Sequence, residues 1–339
     1  MATRAERREQ FIRWYAWSLT YKDCDPAIWL ANYIFKRFEF NSEQRYWLSW
    51  LYGNTYYYPT AFLLWNEFPD FERATQDRVE WWNTANYKRL RYQTDTKYNK
   101  GHLPAMFASY KKMIGGRHQE EFFRLYLGDN EHESFWRIWN LVKEKQHKFG
   151  RYTTWFYLQT LKHCCGLPIQ PNSLMLDDHS GSRSHRNGLH YALAQDDQID
   201  TRLTAGEVVA LEGAAMAILS ETQQRYPKLA SQIDPFTMET CLCSFKKLFR
   251  THHGRYLGYY LDRQSEEIQQ VEKDGWHGIE WNVLWQAREE TLDPRLAKKN
   301  ANIEKHRFEN LLNSNTVDRM SWLFPDSPPH RIGLENFIV

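Results

Sequence analysis

Apolar and aromatic positions recur along this chain at spacings of three and four, the period of a helix that buries one face. That spacing predicts helices over 8–20, 42–52, 59–67, 118–126, 133–147, 153–164 and 236–249. Asp25-Pro26 ahead of Ile28-Trp29, and Asn41-Ser42-Glu43 ahead of Tyr46-Trp47, place a capping side chain and then Pro or Glu at a helix start. Asn54 to Pro59 ends one helix and begins the next. Period-two alternation is scarce, with weak strand signals only in the C-terminal third. The expected fold class is therefore mainly α. Trp47, Trp50, Trp65, Trp136 and Trp139 sit at core spacing. The longest apolar runs, such as Ala61-Phe62-Leu63-Leu64-Trp65, fall far short of the roughly 18 residues a membrane span needs.

Composition sharpens this picture. The 15 Trp, 20 Tyr and 19 Phe among 339 residues exclude a disordered chain. The length allows one large domain or two small ones. Residues Met1 to Gln10 are charged and carry no apolar core, so no signal peptide is expected. The five Cys (24, 164, 165, 241 and 243) are odd in number, which points to free thiols in a reducing compartment. Neither pair has the two-residue gap that zinc or iron–sulfur ligation favours. No Walker A loop, dinucleotide fingerprint or G-x-S-x-G elbow occurs, which argues against a nucleotide kinase, a dehydrogenase and an α/β-hydrolase.

The formal net charge is only +2, so any nucleic-acid contact must be local. Residues 88–100 carry five Lys/Arg against one Asp, 143–151 four against one Glu, and 246–255 four with no acid. Three such runs beside glycine turns and aromatics fit a phosphate-binding surface, and each alone also fits a solvated helix face. Residues 262–293 hold nine Asp/Glu against three Lys/Arg. That acidic segment packs on the rest, takes an ammonium group through Asp262 or Glu266, or contacts a partner.

The densest polar stretch runs from Asp177 to Gly188 and holds Asp177, Asp178, His179, Arg183, His185, Arg186 and Asn187 after the apolar lead-in Leu174-Met175-Leu176. It is either a turn with a capping Asp, or a site for an anionic substrate in which a carboxylate moves a proton and Arg holds phosphate oxygens. Phe149-Gly150-Arg151-Tyr152-Thr153-Thr154 feeds a glycine turn into a helix start, where backbone N–H groups can approach a phosphate. Tyr and Arg within 86–98 and 254–264 are suited to stacking on bases, or to core packing with the hydroxyl at the rim.

Two resemblances follow from these residues. The segment 149–154 and then Leu176-Asp177-Asp178-His179 resembles the hairpin and catalytic-Asp region of helix-hairpin-helix DNA glycosylases, where G-R-K-T precedes V-D-T-H. Trp47 to Thr55 resembles the helix and polar turn that line the base pocket in that fold. Tyr152 stands where bifunctional glycosylases carry a Schiff-base Lys, so lyase chemistry is not expected. A closer resemblance spans roughly residues 25–290. The strings NYKRLRYQTDTKYNKGHLP (86–104), FGRYTTWFYLQTLKH (149–163), SLMLDDHSGSRSHRNGL (173–189), TMETCLCSFKK (237–247) and GRYLGYYLDRQSEEI (254–268) resemble the phage amino acid:DNA transferases, also called α-glutamyl/putrescinyl thymine pyrophosphorylases.

That resemblance implies a helix-hairpin-helix glycosylase-like fold, with a catalytic region over 1–255 and a C-terminal extension over 256–339 packed on it. It implies double-stranded DNA bearing pyrophosphorylated 5-hydroxymethyluracil, a product of a separate DNA kinase, and a free amino acid such as glycine. The amino acid or amine displaces pyrophosphate in the host cytoplasm, with no cofactor required; Asp177 and Asp178 together are suited to one Mg²⁺. The expected roles are catalysis by Asp177, Asp178 and His179, and pyrophosphate binding by Arg183, His185, Arg186, Asn187, Arg255 and Lys97. DNA contacts are expected from Gly150, Arg151, Tyr152, Thr153, Lys88, Arg89 and Arg91, and the base pocket from Asn54, Tyr56 and Tyr57. Two alternatives stand beside this one: a glycosylase that excises a modified base, and a non-catalytic module that binds modified DNA.

Overall fold

The structure is a computed structural model that describes residues 4–71, 86–93, 96–177, 183–246, 258–294 and 296–297. Among them every regular element is helical, so the mainly α expectation holds, and no strand occurs among the described residues of the C-terminal third. In chain order the first helices are α1 (Arg4–Thr20), α2 (Pro26–Arg37), α3 (Ser42–Thr55), α4 (Tyr58–Glu67) and the single turn α5 (Asn86–Arg89). Next come a 3₁₀ segment (Lys97–His102), α6 (Leu103–Ile114), α7 (Gln119–Arg124), α8 (Glu131–Lys145) and α9 (Arg151–Cys165). The last are α10 (Ser184–Ala192), α11 (Ala205–Arg225), α12 (Pro235–Phe245), α13 (Tyr259–Lys273) and α14 (Asn282–Thr291). No helix of the described residues is long and apolar enough to cross a membrane.

Local chemistry sets the boundaries. The Asn41 side chain accepts the Gln44 N–H at 3.0 Å while Gln44 Oε1 accepts the Asn41 N–H at 3.0 Å, a capping box that starts α3. Tyr56 ends α3 in the left-handed region at φ 45°, and Pro59 sits in the first turn of α4. Asp25, at φ 47°, turns the chain into Pro26 at the head of α2.

The chain divides into two compact units made of interleaved segments. One comprises residues 1–26, 172–263 and 292–339, and the other 27–171 and 264–291. The stretch after residue 255 contributes to both.

In the first unit, α1 contributes Phe11, Trp14, Tyr15 and Trp17 to a core shared with Leu174, Leu176, Leu189, Leu211, Ile218, Leu242 and Phe245. Fully burying one such side chain stabilises by roughly 1.5–3 kcal/mol. Tyr15 buries its hydroxyl without loss, because it lies 2.6 Å from Thr237 Oγ1 and donates to the Asp234 carbonyl at 3.0 Å. Gly188 lets α10 rest on α12: a Cβ there would lie 2.0 Å from the Leu242 carbonyl oxygen.

In the second unit α3 packs along α9. A Cβ on Gly53 would stand 2.8 Å from Tyr157 Cβ, so a glycine is needed at this crossing. Trp47, Trp50 and Tyr110 stack at its centre, with ring centroids 5.4 and 4.9 Å apart for Trp47–Trp50 and Trp50–Tyr110. Trp65 and Trp139 are buried as the spacing predicts, and Trp136 is half-buried.

Candidate active site and nucleic-acid interface

In the first unit the Asp177 region is an anchored run of chain followed by a helix. Leu174, Met175 and Leu176 are buried, while Asp177 is exposed. Glu212, projecting from α11, holds the run. Its Oε1 accepts the Ser173 hydroxyl at 2.9 Å and the Leu176 N–H at 3.0 Å, and its Oε2 accepts the Leu174 N–H at 2.9 Å. The Ser173 hydroxyl in turn accepts the Met175 N–H at 2.8 Å. Asp178 and His179 lie outside the described residues, as does Arg255.

Arg183, His185, Arg186 and Asn187 lie together at the head of α10. Arg183 is exposed and donates to the Asp200 carbonyl at 2.8 Å. Arg186 is buried and donates to the Thr201 carbonyl at 3.0 Å. Burial, with Arg183 nearby, pulls its guanidinium below the usual range. Asn187 exchanges two bonds with Asp200, donating Nδ2 to Oδ1 at 2.7 Å and accepting the Asp200 N–H at 3.2 Å. The His185 imidazole Nδ1 is 3.4 Å from Glu239 Oε1, and both side chains are buried. Beside this pair the Cys243 thiol donates to Ser184 Oγ at 3.0 Å.

In the second unit the glycine turn and part of the expected base pocket come together. Gly150 is the N-cap of α9 and has no side chain to cap the first turn, which also lacks an acidic residue. Arg151 is buried with its guanidinium 5.6 Å from the Trp155 ring centre, and Thr153 is fully buried. Tyr56 lies against α9, its ring 4.0 Å from Phe156 and 5.6 Å from Tyr152 between centroids. Asn54 is buried: its Nδ2 donates to the Trp50 carbonyl at 3.3 Å, and its own carbonyl accepts Asn99 Nδ2 at 3.1 Å. Tyr57 is directed elsewhere, its hydroxyl bonding Gln270 Oε1 at 3.0 Å and the Glu267 carbonyl at 3.2 Å.

The basic run 88–91 is partly engaged by the acidic segment. Arg91 grips Asp274 with a two-pronged fork, Nε to Oδ2 at 2.6 Å and Nη2 to Oδ1 at 2.8 Å, and this contact raises its already high pKa. Arg89 lies over the Trp276 ring at 4.2 Å. Lys88 and Lys97 are exposed. Asp274 and Trp276 thus hold part of the basic run within this unit.

Among the described residues no group of three His, Cys, Asp or Glu is arranged to hold a metal. All five thiols are free. Desolvation pushes the Cys165 thiol up to about 12, away from the reactive thiolate form. Glu212, Glu239 and Asp200 were not among the site residues expected from the sequence. Glu212 stands nearly 40 residues from Ser173, Asp200 13 residues from Asn187, and Glu239, though inside the string 237–247, 54 residues from His185.

Comparison with known proteins agrees with the sequence resemblance. A serinyltransferase of Salmonella phage ViI is 27% identical over 261 residues, which cover 73% of this chain. The chain spans 63% of the length of that relative. No solved structure matches the chain. Residues 9–253 match the family described as "Amino acid:DNA transferase", and the chain belongs to that family.

Proposed function

We propose that this protein transfers a small amino acid, serine first among the candidates, to the 5-methylene carbon of 5-(pyrophosphoryloxymethyl)uracil in phage DNA. The observation that carries this reading is the family match over residues 9–253, which contains Asp177 at the exposed end of an anchored run. The name of the phage ViI relative is the reason for putting serine first. A DNA kinase acting on 5-hydroxymethyluracil supplies the substrate.

In this reading the lone pair of the amino acid's attacking nitrogen or oxygen forms a bond to the methylene carbon. The carbon–oxygen bond to pyrophosphate breaks, and pyrophosphate leaves with the electron pair. The nucleophile's proton passes to the Asp177 carboxylate and then to water. Arg183 attracts the leaving pyrophosphate, with His185, Arg186 and Asn187 shaping the helix that carries it. In the second unit the uncapped start of α9 at Gly150 takes a DNA backbone phosphate. Tyr56 and Tyr152 of the same unit offer rings for stacking on a DNA base. The helix-hairpin-helix glycosylase-like arrangement belongs to the same proposal.

The test is incubation with pyrophosphorylated DNA and an amino-acid mixture, followed by nucleoside mass analysis. A heavier nucleoside still joined to deoxyribose supports transfer. Free base with an abasic site supports the glycosylase alternative, and an unchanged nucleoside profile refutes both.

A further inference from the structure

The residues that enter Asp177 lie in neither helix nor strand, so their N–H groups need acceptors from elsewhere. A single carboxylate meets most of that need. Glu212 takes the Leu174 and Leu176 N–H groups and the Ser173 hydroxyl, and Ser173 takes the Met175 N–H. Charged acceptors make the stronger hydrogen bonds of this kind. Met175 sits in the left-handed region at φ 52°, which a non-glycine side chain holds only where its surroundings over-determine it. Leu174 and Leu176 are at the same time fixed in the core, at 0% and 1% exposure. The next residue, Asp177, is exposed. The fixed stretch of backbone therefore ends one peptide bond before the carboxylate.

We propose that Glu212 is a positioning residue for the transfer reaction: it fixes the backbone of residues 174–176 and through it the place of the Asp177 carboxylate. This rests on Asp177 being the proton acceptor proposed above. An acceptor that must meet a nucleophile within hydrogen-bond reach is sensitive to small displacements, and about 1 Å of misplacement costs on the order of 100-fold in rate. Glutamine cannot replace Glu212 in full. Both carboxylate oxygens accept here, and an amide would set an N–H donor against a backbone N–H.

The experiment measures pyrophosphate release from DNA carrying 5-(pyrophosphoryloxymethyl)uracil, with serine as the amino acid. Glu212→Ala is expected to lower kcat by about 10- to 100-fold with KM for DNA within about twofold, and Glu212→Gln to fall between it and wild type. Circular dichroism and a melting curve report folding, and the Gln variant decides if the Ala variant does not fold. Because Glu212 acts through Asp177, adding Glu212→Ala to Asp177→Asn is expected to cost less than about twofold more. A folded variant with wild-type kcat overturns the proposal, and so do losses that multiply in the double variant. A wild-type rate for Asp177→Asn alone is a separate outcome, which refutes the proton-acceptor reading itself.

Discussion

Asp177 is the exposed end of a buried, hydrogen-bonded run, so its side chain can be changed without disturbing what holds the backbone. Asp177→Asn is expected to cut single-turnover transfer by at least about 100-fold while DNA affinity stays within a few-fold. Electrophoretic shift and rapid-quench measurements on the same DNA separate the two effects. A second prediction at this scale concerns Glu9. Its carboxyl is held down to about 2, chiefly by its hydrogen bond to Arg225, which donates to both oxygens at 2.6 and 2.8 Å. A depressed folded-state value means stability that is present above the unfolded carboxylate range and lost as pH falls toward 2. Glu9→Gln should therefore lose that contribution at neutral pH and flatten the stability curve between about pH 4.5 and 2, with the two proteins converging at the acid end. The pair is largely exposed, so the difference should shrink in high salt, which acid titrations of the melting temperature will show. Asp177 was visible in the sequence because it stands in the densest polar cluster of the chain, although His185, Arg186 and Asn187 of that cluster are buried with polar partners. Glu212 was not, because its partners stand nearly 40 residues away and its own helix gives no sign of them.

Helix crossings carry the next set of consequences. Gly188→Ala would drive a methyl group into the Leu242 backbone, which cannot rotate away as a side chain can. It is expected to cost about 3 kcal/mol, read as a lower urea midpoint, and to weaken transfer because α10 carries His185 and Arg186. Gly213→Ala is the control: the position is inside α11 with nothing within 4 Å, so it should stabilise by about 0.5–1 kcal/mol. Helices with a cap residue and a clear apolar stripe, such as α3 and α8, were legible from spacing alone. The longest helix, α11, was not: its Ala-rich sequence spreads small apolar residues around the whole cylinder and leaves little periodic contrast. Of the C-terminal third, where weak strand signals were expected, the described residues 258–294 are helical or in turns and loops. There Leu261, Ile268, Val271 and Leu284 belong to α13 and α14 and are buried by packing that overrides local preference.

At the scale of the whole molecule, a net charge of +2 hides local fields that partly cancel. Arg91 is neutralised by Asp274 in the same unit. Asp274→Asn therefore frees one cation beside Lys88 and Arg89. DNA binding by this variant should tighten, and its salt dependence should steepen by about one unit of slope in log K against log salt. An unchanged slope would remove the 88–91 run from the DNA contacts. The interleaving of the two units bears on how the protein is made. α1 leaves the ribosome with Phe11, Trp14, Tyr15 and Trp17, yet its core partners begin at Leu174, on the far side of the inserted residues 27–171. At 5–20 residues per second, roughly 10 to 30 s pass before those partners emerge. Throughout that interval the nascent chain carries an aromatic helix with nothing to pack on, while most of the second unit can already fold. Chaperone demand during synthesis, and aggregation of truncated products ending near residue 171, should therefore be governed by α1.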